Sequence, residues 1–374
     1  MRVIHKNKIL FDHLIKFNRH LFMILILITQ FSVEASSTSD EVSLSSSKNA
    51  RTFFQGYSSL LEKSLAHSCL GLTDIADSLP CNPATVPLIT KSDLSAEGLV
   101  SNGYQAVKST RSLLSGDITQ ESVDTLFKGS SQIQIEGNSD VHFKSPHLTG
   151  RYVPLSIKGL SVVRNIANPE AQIQAIQESG FKFQSGYKWS KNFYFGLQVQ
   201  FLERKYINKQ FLLVELATAA GKNLLIPQKQ SVTTFEPGLY YKFSNTFLKP
   251  AISLLIANGG FYQPFDKEIN LPTEAQFGFA ISPPIYWGEF NLTLDYKTLS
   301  VEDKELSDKI HSGFLYKFGS LNLAGGLNTH GASSGVFYSI EKINAGILYS
   351  TSRTSLEKED IYSQTVYIQV GWQI

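Results

Sequence analysis

The C-terminal part of the chain repeatedly alternates apolar and polar side chains with a period of two residues. Phe290, Leu292 and Leu294 share one parity, whereas the residues between them are polar. The same pattern returns in residues 321–328, 343–350 and 366–374. A period of two places one apolar and one polar face on each strand. Repeated strands of this kind in an exported protein predict an antiparallel, up-and-down β-barrel in an outer membrane, with its apolar face toward lipid.

The N-terminus carries the features of a signal peptide. A positively charged region that includes Arg2, Lys16 and Arg19 precedes an apolar run from Leu21 to Ile28. Small residues follow at Val33 and Ala35, as a cleavage site requires. The run is too short to span a hydrocarbon core of ~30 Å, so cleavage is favoured over an uncleaved anchor. Residues 1–35 are therefore predicted to be a signal peptide that exports the chain to the outer membrane of a Gram-negative bacterium.

Residues 36–130 differ in composition from the predicted strands. A Ser-rich stretch over residues 36–50 indicates a flexible leader. Beyond it, Leu61, Leu65 and Cys69 keep helical spacing, and a second amphipathic pattern ends at Gly116. We interpret residues 36–130 as a leader followed by a partly helical segment, which either plugs the barrel or lies beneath it as a periplasmic lid.

The barrel itself is predicted over residues 131–374. From residue 181 onward, short connections such as Gly319–Ser320 alternate with mostly long ones, such as residues 204–232, 299–309 and 352–361. Outer-membrane barrels have short periplasmic turns and longer outer loops. The chain enters and leaves such a barrel on the same, periplasmic side, which requires an even number of strands. Residues 153–163 supply one upstream strand, and residues 131–136 and 52–60 could supply another pair, giving about twelve to fourteen strands.

The chain has two cysteines, Cys69 and Cys81, and both lie in the exported part. An even number of cysteines in an oxidising compartment favours a disulfide, although two buried free thiols remain the alternative. Two thiols and one nearby histidine do not make a four-ligand zinc set. We therefore predict no metal site and no cofactor.

Two stretches resemble a known family. The sequence CLGLTDIADSLPCNPA, from Cys69 to Ala84, is similar to the start of FadL-type long-chain fatty-acid transporters and their TraF-like plasmid-transfer relatives, with Asn82, Pro83 and Ala84 matching the family's Asn-Pro-Ala motif. Residues 311–349 look like the family's last hairpins. The resemblance implies uptake of a hydrophobic solute or, for the plasmid-transfer branch, an envelope role. It carries over no ligand-binding residues.

The C-terminus departs from the usual pattern of outer-membrane proteins, which end in Phe. Here Val370, Trp372 and Ile374 continue the alternation to the last residue. We interpret these three residues as the signal that the barrel-assembly machinery recognises.

The sequence gives little support for an enzyme, and no catalytic residue is predicted. His311 and Ser312 are neighbours in a strand and therefore point to opposite faces, so they cannot form a nucleophile–base pair. His330 lies in a turn, where a solvated histidine is the simpler interpretation. An acidic loop containing Glu302, Asp303 and Glu305 alternates with lysine, which indicates a solvated or lipopolysaccharide-facing loop.

The sequence thus predicts a monomeric barrel in contact with outer-membrane lipids and lipopolysaccharide, acting as a channel or transporter for a small, hydrophobic solute. A net charge of +2 argues against a nucleic-acid partner. Two other functions remain open: a non-transporting envelope or conjugation-associated barrel, and a soluble secreted β-sheet binding module.

Overall fold

The computed structural model describes residues 57–73, 79–101, 104–115, 132–164, 170–212, 225–243, 246–263, 271–297, 306–356 and 359–373. The predicted signal peptide, the Ser-rich leader and Ile374 lie outside these residues. The helices are α1 (Leu60–Ser64) and α2 (Tyr104–Ser115), with 3-10 helices at Pro83–Leu88 and Ser307–Lys309. The strands are β1 (Asp93–Ser101), β2 (Gln132–Lys144), β3 (Leu148–Arg164), β4 (Glu170–Lys188), β5 (Phe193–Leu212), β6 (Gln228–Lys242), β7 (Ala251–Ala257), β8 (Gly260–Gln263), β9 (Glu274–Ile281), β10 (Glu289–Tyr296), β11 (Ile310–Phe318), β12 (Leu321–Asn328), β13 (Gly331–Ile340), β14 (Ile343–Leu356) and β15 (Glu359–Gln373).

These strands form one closed antiparallel barrel. Apart from β8, consecutive strands pair with one another, so that β7 pairs with β9; β1 pairs with β15, and the pairing of β5 with β6 completes the ring. Strands β7 and β8 both pair with β6, and their registers differ by one residue across a bulge at Asn258 and Gly259. They therefore form one interrupted strand, and the barrel has 14 strands, which confirms the predicted fold class.

The strand that closes the barrel was not predicted. Strand β1 lies within residues 36–130, which were assigned to the leader and plug, yet it pairs with both β2 and β15. The proposed alternative, residues 52–60, does not supply this strand in its described part, because Leu60 begins α1. The alternation of β1 is weak, since its outward positions include Ala96 and Gly98 as well as Leu94 and Val100.

Several connections are shorter than predicted because the strands extend further. Strands β14 and β15 pair as far as Leu356 and Glu359, so residues 352–361 are not a long loop. Strand β5 likewise continues to Leu212, and β6 begins at Gln228. Strand β1 starts and strand β15 ends at the same end of the barrel, which also carries the Gly319–Ser320 turn; we call this the turn end and the opposite one the loop end.

The inner face of the wall carries many polar side chains, and the outer face is apolar. Outward residues such as Phe195, Leu197, Ile347 and Ile368 are exposed. Burying large apolar side chains toward lipid and polar ones toward the lumen is the arrangement expected of a transmembrane barrel. Among the described residues, no helix has the length and apolarity needed to cross a membrane.

Helix α2 forms as the amphipathic pattern predicted, but it does not lie in the lumen. It follows β1 at the loop end and packs through Leu113 and Leu114 against Ile135, Ile173 and Ile207. These wall residues have the same parity as the outward-facing side chains of β2, β4 and β5. Helix α2 therefore covers the outside of the wall where β3–β5 extend toward the loop end, and it is not part of a plug.

Candidate functional site: the barrel lumen and its contents

A segment that precedes β1 occupies the lumen. Residues 57–73 and 79–92, which we call the luminal segment, contain α1, both cysteines and the Asn-Pro-Ala motif. Helix α1 contacts β12, β13 and β14, whereas the Pro83–Leu88 helix contacts β4, β5 and β6. These strands lie on different sides of a closed ring, so a segment that touches both sets through their inner faces must lie inside the barrel.

Helix α1 forms because its sequence supplies both a cap and an apolar face. The Ser59 side chain accepts a hydrogen bond from the Glu62 backbone N–H at 3.2 Å, which caps the first turn. Leu60, Leu61 and Leu65 are buried. They pack against an apolar patch of the inner wall formed by Leu99, Leu315, Ala324, Phe337, Leu348 and Tyr367. One sector of the lumen, from β11 through β15 to β1, is thus apolar where it meets α1.

The Asn-Pro-Ala motif attaches the luminal segment to the opposite wall. Asn82 is fully buried; its Oδ1 accepts from the Ala84 backbone N–H at 2.9 Å, and its Nδ2 donates to the Leu239 carbonyl at 2.9 Å. Pro83 at the first helical position fits the backbone torsion that a helix start requires. The motif identified from sequence therefore both begins a 3-10 helix and bonds to β6.

Three glycines on adjacent strands allow the Asn-Pro-Ala motif to lie close to the wall. Gly186, Gly196 and Gly238 lie side by side on β4, β5 and β6, and we call them the glycine row. A Cβ atom on Gly196 would lie 2.3 Å from the Pro83 carbonyl carbon, and one on Gly238 would lie 2.1 Å from Asn82 Oδ1. Only glycine leaves room for the luminal segment at these positions.

Backbone groups of residues 64–70 bond to side chains of β10, β11 and β13. Ser333 Oγ donates to the Ser64 carbonyl at 2.9 Å, and Thr293 Oγ1 donates to the Ser68 carbonyl at 2.8 Å. His311 Nδ1 lies 2.8 Å from the Ala66 carbonyl oxygen. This segment includes two consecutive non-glycine residues with positive φ, Ala66 (48°) and His67 (65°), so the wall contacts hold a sterically unfavourable turn.

Asp295 makes the strongest of these contacts, because one of its carboxylate oxygens accepts hydrogen bonds from two backbone amides. Its Oδ2 accepts from the backbone N–H groups of Cys69 at 2.7 Å and Leu70 at 3.0 Å. The aspartate is fully buried. Hydrogen bonds to an ionised acceptor are stronger than neutral ones, so Asp295 fixes the middle of the luminal segment against β10.

The two cysteines are joined in the structure. Cys69 and Cys81 have their Sγ atoms 2.03 Å apart and their Cα atoms 5.8 Å apart. Cys69 is buried among apolar side chains of the luminal segment and the wall. The bond links the part of the segment anchored on Asp295 to the part anchored on the glycine row.

The other sector of the lumen, from β1 to β6, is lined by buried polar and charged side chains. Arg204 on β5 pairs with Glu178 on β4 at 2.6 Å, and Lys63 of α1 pairs with Glu136 on β2 at 2.9 Å. Gln184 Nε2 donates to the Pro80 carbonyl at 2.7 Å and to Gln198 Oε1 at 2.7 Å. The lumen therefore has an apolar sector and a charged sector, and the luminal segment bonds to both.

Burial also perturbs two titratable groups of the luminal segment. The pKa of His67 is well below its ordinary value, chiefly because burial disfavours the charged ring and further because Lys297 and Lys63 are near. Burial likewise raises the pKa of Tyr57. His67 is therefore neutral at pH 7 and adds no charge to the lumen.

A polar cavity of about 480 Å³ opens at the turn end of the lumen. Its lining includes Asp93, Glu289, Lys317, Asn322 and Asn344, which share the inward parity of their strands. It is large enough to hold several water molecules or a small solute. The lumen is thus open to solvent at this end, where the cavity is lined by wall strands and their turns.

The structure brings together only some of the sequence-predicted residues. Cys69 and Cys81 meet, Asn82, Pro83 and Ala84 contact the wall, and Thr293 and Asp295 face the lumen. Val370 and Trp372 lie on the outward face of β15, and their role as an assembly signal stays a prediction. Sequence reasoning missed a buried group on the inner face of β1–β3, namely Glu97, Asp140, His142 and Arg151. Their alternate spacing is visible in the sequence but resembles any polar strand face.

The chain resembles known proteins in structure and not in sequence. No protein-family model matches the chain, and no curated protein has a significantly similar sequence. Solved structures do match. The CymD monoaromatic hydrocarbon channel is 8% identical, with a TM-score of 0.45 over 84% of this chain and 96% of that one.

Two toluene transporters are similar to the same degree. TodX from Pseudomonas putida is 10% identical with a TM-score of 0.42, covering 90% of this chain and 99% of its own. TbuX from Ralstonia pickettii is 12% identical with a TM-score of 0.41, covering 83% and 97%. The matching channels are members of the FadL family, which the sequence motifs resemble.

Proposed function

We propose that this protein is an outer-membrane channel or transporter for a small, hydrophobic solute, with the turn end facing the periplasm. The proposal rests on the lumen, which has an apolar sector and a charged sector and holds the luminal segment. A barrel of this size is wider than its own wall side chains fill, so its content decides whether it conducts. Here a disulfide-linked segment lies in the lumen and is bonded to several strands, and a polar cavity opens at the turn end.

The solute class is inferred from the apolar sector. Leu315, Phe337, Leu348 and Tyr367 face inward and are buried in one cluster with apolar residues of the luminal segment. If the luminal segment moves away, these side chains form an apolar surface inside an otherwise polar lumen. Such a surface favours binding of a hydrophobic molecule, since burying apolar area contributes about 25 cal/mol per Å².

A deletion tests whether the luminal segment occludes the lumen. Residues 85–129 are unsuitable, because that range contains wall strand β1. Removal of residues 57–91 spares every strand and should convert a nearly silent protein into a steady conductor in planar bilayers. Removal of the leader residues 36–50 is the matched control and should leave conductance unchanged. If the barrel without residues 57–91 inserts but conducts no more than the intact protein, a non-transporting envelope role is favoured.

The solute class has its own test. Cells that express the intact protein should take up a monoaromatic hydrocarbon or a long-chain fatty acid faster than control cells, with no change for a sugar of similar size. The Leu315→Gln variant should reduce hydrophobic uptake, because it places an amide in the apolar sector. Leu306→Gln, at an exposed position at the loop end, is the control. Equal uptake by both variants would contradict the role of the apolar sector.

A further inference from the structure

Three neighbouring turns at the turn end form one surface. They connect β4 to β5, β6 to β7 and β9 to β10, which are adjacent strands of the ring, and comprise residues 188–192, 242–243 with 246–250, and 282–288. Backbone hydrogen bonds join the turns: the Lys242 N–H donates to the Asn192 carbonyl at 2.9 Å, and the Ser282 N–H donates to the Leu248 carbonyl at 2.8 Å. The three turns therefore lie side by side and present one continuous surface.

Aromatic side chains of these turns protrude beyond the wall. Trp189, Phe247, Tyr286 and Trp287 are 72%, 76%, 93% and 66% exposed, whereas Phe195, on the outward face of β5, is 39% exposed. Exposed aromatic area of this extent is unfavourable in water. The surface also continues the lipid-facing wall, because the ring centroids of Trp189 and Phe195 lie 6.3 Å apart. Aromatic side chains at the ends of an outer-membrane barrel lie at the boundary between lipid and water.

The charged residues of the same turns are all lysines. Residues 188–192, 242–250 and 282–288 contain four lysines and no acidic residue. The lysines are Lys188, Lys191, Lys242 and Lys249. On the opposite side of the ring, the β13–β14 turn instead places Glu341 next to Lys342. The three turns thus combine positive charge with exposed aromatic rings, and we call these four lysines and the four aromatic residues the basic aromatic patch.

We propose that the basic aromatic patch binds the headgroups of anionic phospholipids in the periplasmic leaflet of the membrane. Lysine amines and lipid phosphates are complementary in charge, and each lysine near an anionic lipid surface strengthens binding. Long lysine side chains reach the headgroups while their methylene groups stay against the apolar edge of the wall. The occupant is lipid because the patch continues the lipid-facing wall. The proposal rests on the orientation given above, with the turn end facing the periplasm.

The chain's three tryptophans provide the test. Trp189 and Trp287 belong to the patch, whereas Trp372 lies on the outward face of β15, on the opposite side of the ring. The whole mature protein is reconstituted in phosphatidylcholine vesicles that contain a small fraction of a brominated lipid, which quenches tryptophan fluorescence on contact. In Trp372→Phe, brominated phosphatidylglycerol should quench at least about threefold more than brominated phosphatidylcholine. In the double variant Trp189→Phe/Trp287→Phe, which keeps Trp372, the two lipids should quench equally.

Lysine variants show whether charge causes the preference. Lys191→Gln/Lys249→Gln should remove it, whereas Lys91→Gln/Lys342→Gln, which removes the same charge from exposed positions on the opposite side of the turn end, should keep it. Heat-modifiable migration on gels establishes that each variant is a folded barrel. If Trp372→Phe does not fold, the lysine variants are compared in the wild type, in which two of three tryptophans report on the patch.

The proposal is overturned if brominated phosphatidylglycerol quenches the patch tryptophans no more than brominated phosphatidylcholine does. It is equally overturned if both lysine pairs lower the preference to the same extent, since the effect would then come from net charge. Absence of quenching by either lipid also overturns it and favours a periplasmic protein as the occupant. Neither conductance nor uptake enters these measurements, so their failure is distinguishable from failure of the channel function.

Discussion

Adding one methyl group to the glycine row should detach the luminal segment without disturbing the wall. In Gly196→Ala, the new Cβ would lie 2.3 Å from the Pro83 carbonyl carbon and 2.5 Å from the Ala84 backbone nitrogen. Both neighbours are backbone atoms and cannot rotate away. Strand β5 is hydrogen-bonded on both sides, to β4 and β6, so the luminal segment must shift instead. A shift of about 0.7 Å is needed to reach even 3.0 Å.

The magnitude follows from two contributions. Overpacking a fitted contact costs about 1–3 kcal/mol. The shift also strains the bond from Asn82 Nδ2 to the Leu239 carbonyl, now 2.9 Å long, and losing it costs a further 0.5–1.5 kcal/mol or so. Together these shift the equilibrium between attached and displaced segment by roughly ten- to a thousandfold, since 1.4 kcal/mol is a factor of ten.

Hydrogen exchange and conductance measure the result. Amides of residues 82–89 should exchange faster in Gly196→Ala, while amides of β5 and β6 keep their protection, and single-channel openings should become more frequent. Gly98→Ala is the control, because a Cβ there meets nothing within 4 Å. If Gly196→Ala shows the same exchange and openings as Gly98→Ala, the glycine row does not hold the segment and the steric reasoning is refuted.

Three further predictions concern the other contacts. Asp295→Ala should leave two buried amides unsatisfied and weaken attachment of the segment by about 2–4 kcal/mol, seen as faster exchange at Cys69 and Leu70; unchanged exchange would contradict it. The thiols of Cys69 and Cys81 should resist alkylation until they are reduced, and replacing both by serine should loosen the segment by about 2–4 kcal/mol while the barrel still migrates as folded; full labelling without reductant would disprove the disulfide. Arg204→Met should destabilise the barrel to urea by about 3–5 kcal/mol by leaving Glu178 buried and unpaired, and adding Glu178→Leu should recover most of that loss; no recovery would indicate that the pair is not the cause.

The strand pattern was predictable wherever outward residues are large. Large apolar residues reveal the outward face of a strand, because contact with lipid favours bulky apolar side chains. Examples are Leu292, Leu294, Ile347 and Ile368. Strand β1 was missed for the opposite reason, since Ala96 and Gly98 occupy its outward positions. Alternation predicts a face only when both faces differ clearly in size and polarity.

The contents of the lumen were predictable in kind and not in detail. Helical spacing, the cysteine pair and the Asn-Pro-Ala motif identified a segment that differs from the wall. The bonds that hold it join residues far apart in sequence, such as Cys69 to Asp295 and Ser64 to Ser333. A single sequence carries no signal for pairs separated by more than 200 residues, because register around a closed barrel decides which side chains meet.

The inward glycines and other small residues indicate that the wall is fitted to an occupied lumen. Gly in the middle of a strand weakens it, so its presence usually marks a close backbone approach. Gly313 and Gly326 lie side by side on β11 and β12, and Cβ atoms there would be 3.0 Å from the Leu65 carbonyl oxygen and 2.2 Å from the Leu65 carbonyl carbon. The glycine row on β4–β6 likewise leaves room for Pro83 of the luminal segment. Glycines at two separate places in the wall thus leave room for the same luminal segment. A solute that crosses this barrel must therefore displace the segment or pass beside it from the polar cavity at the turn end.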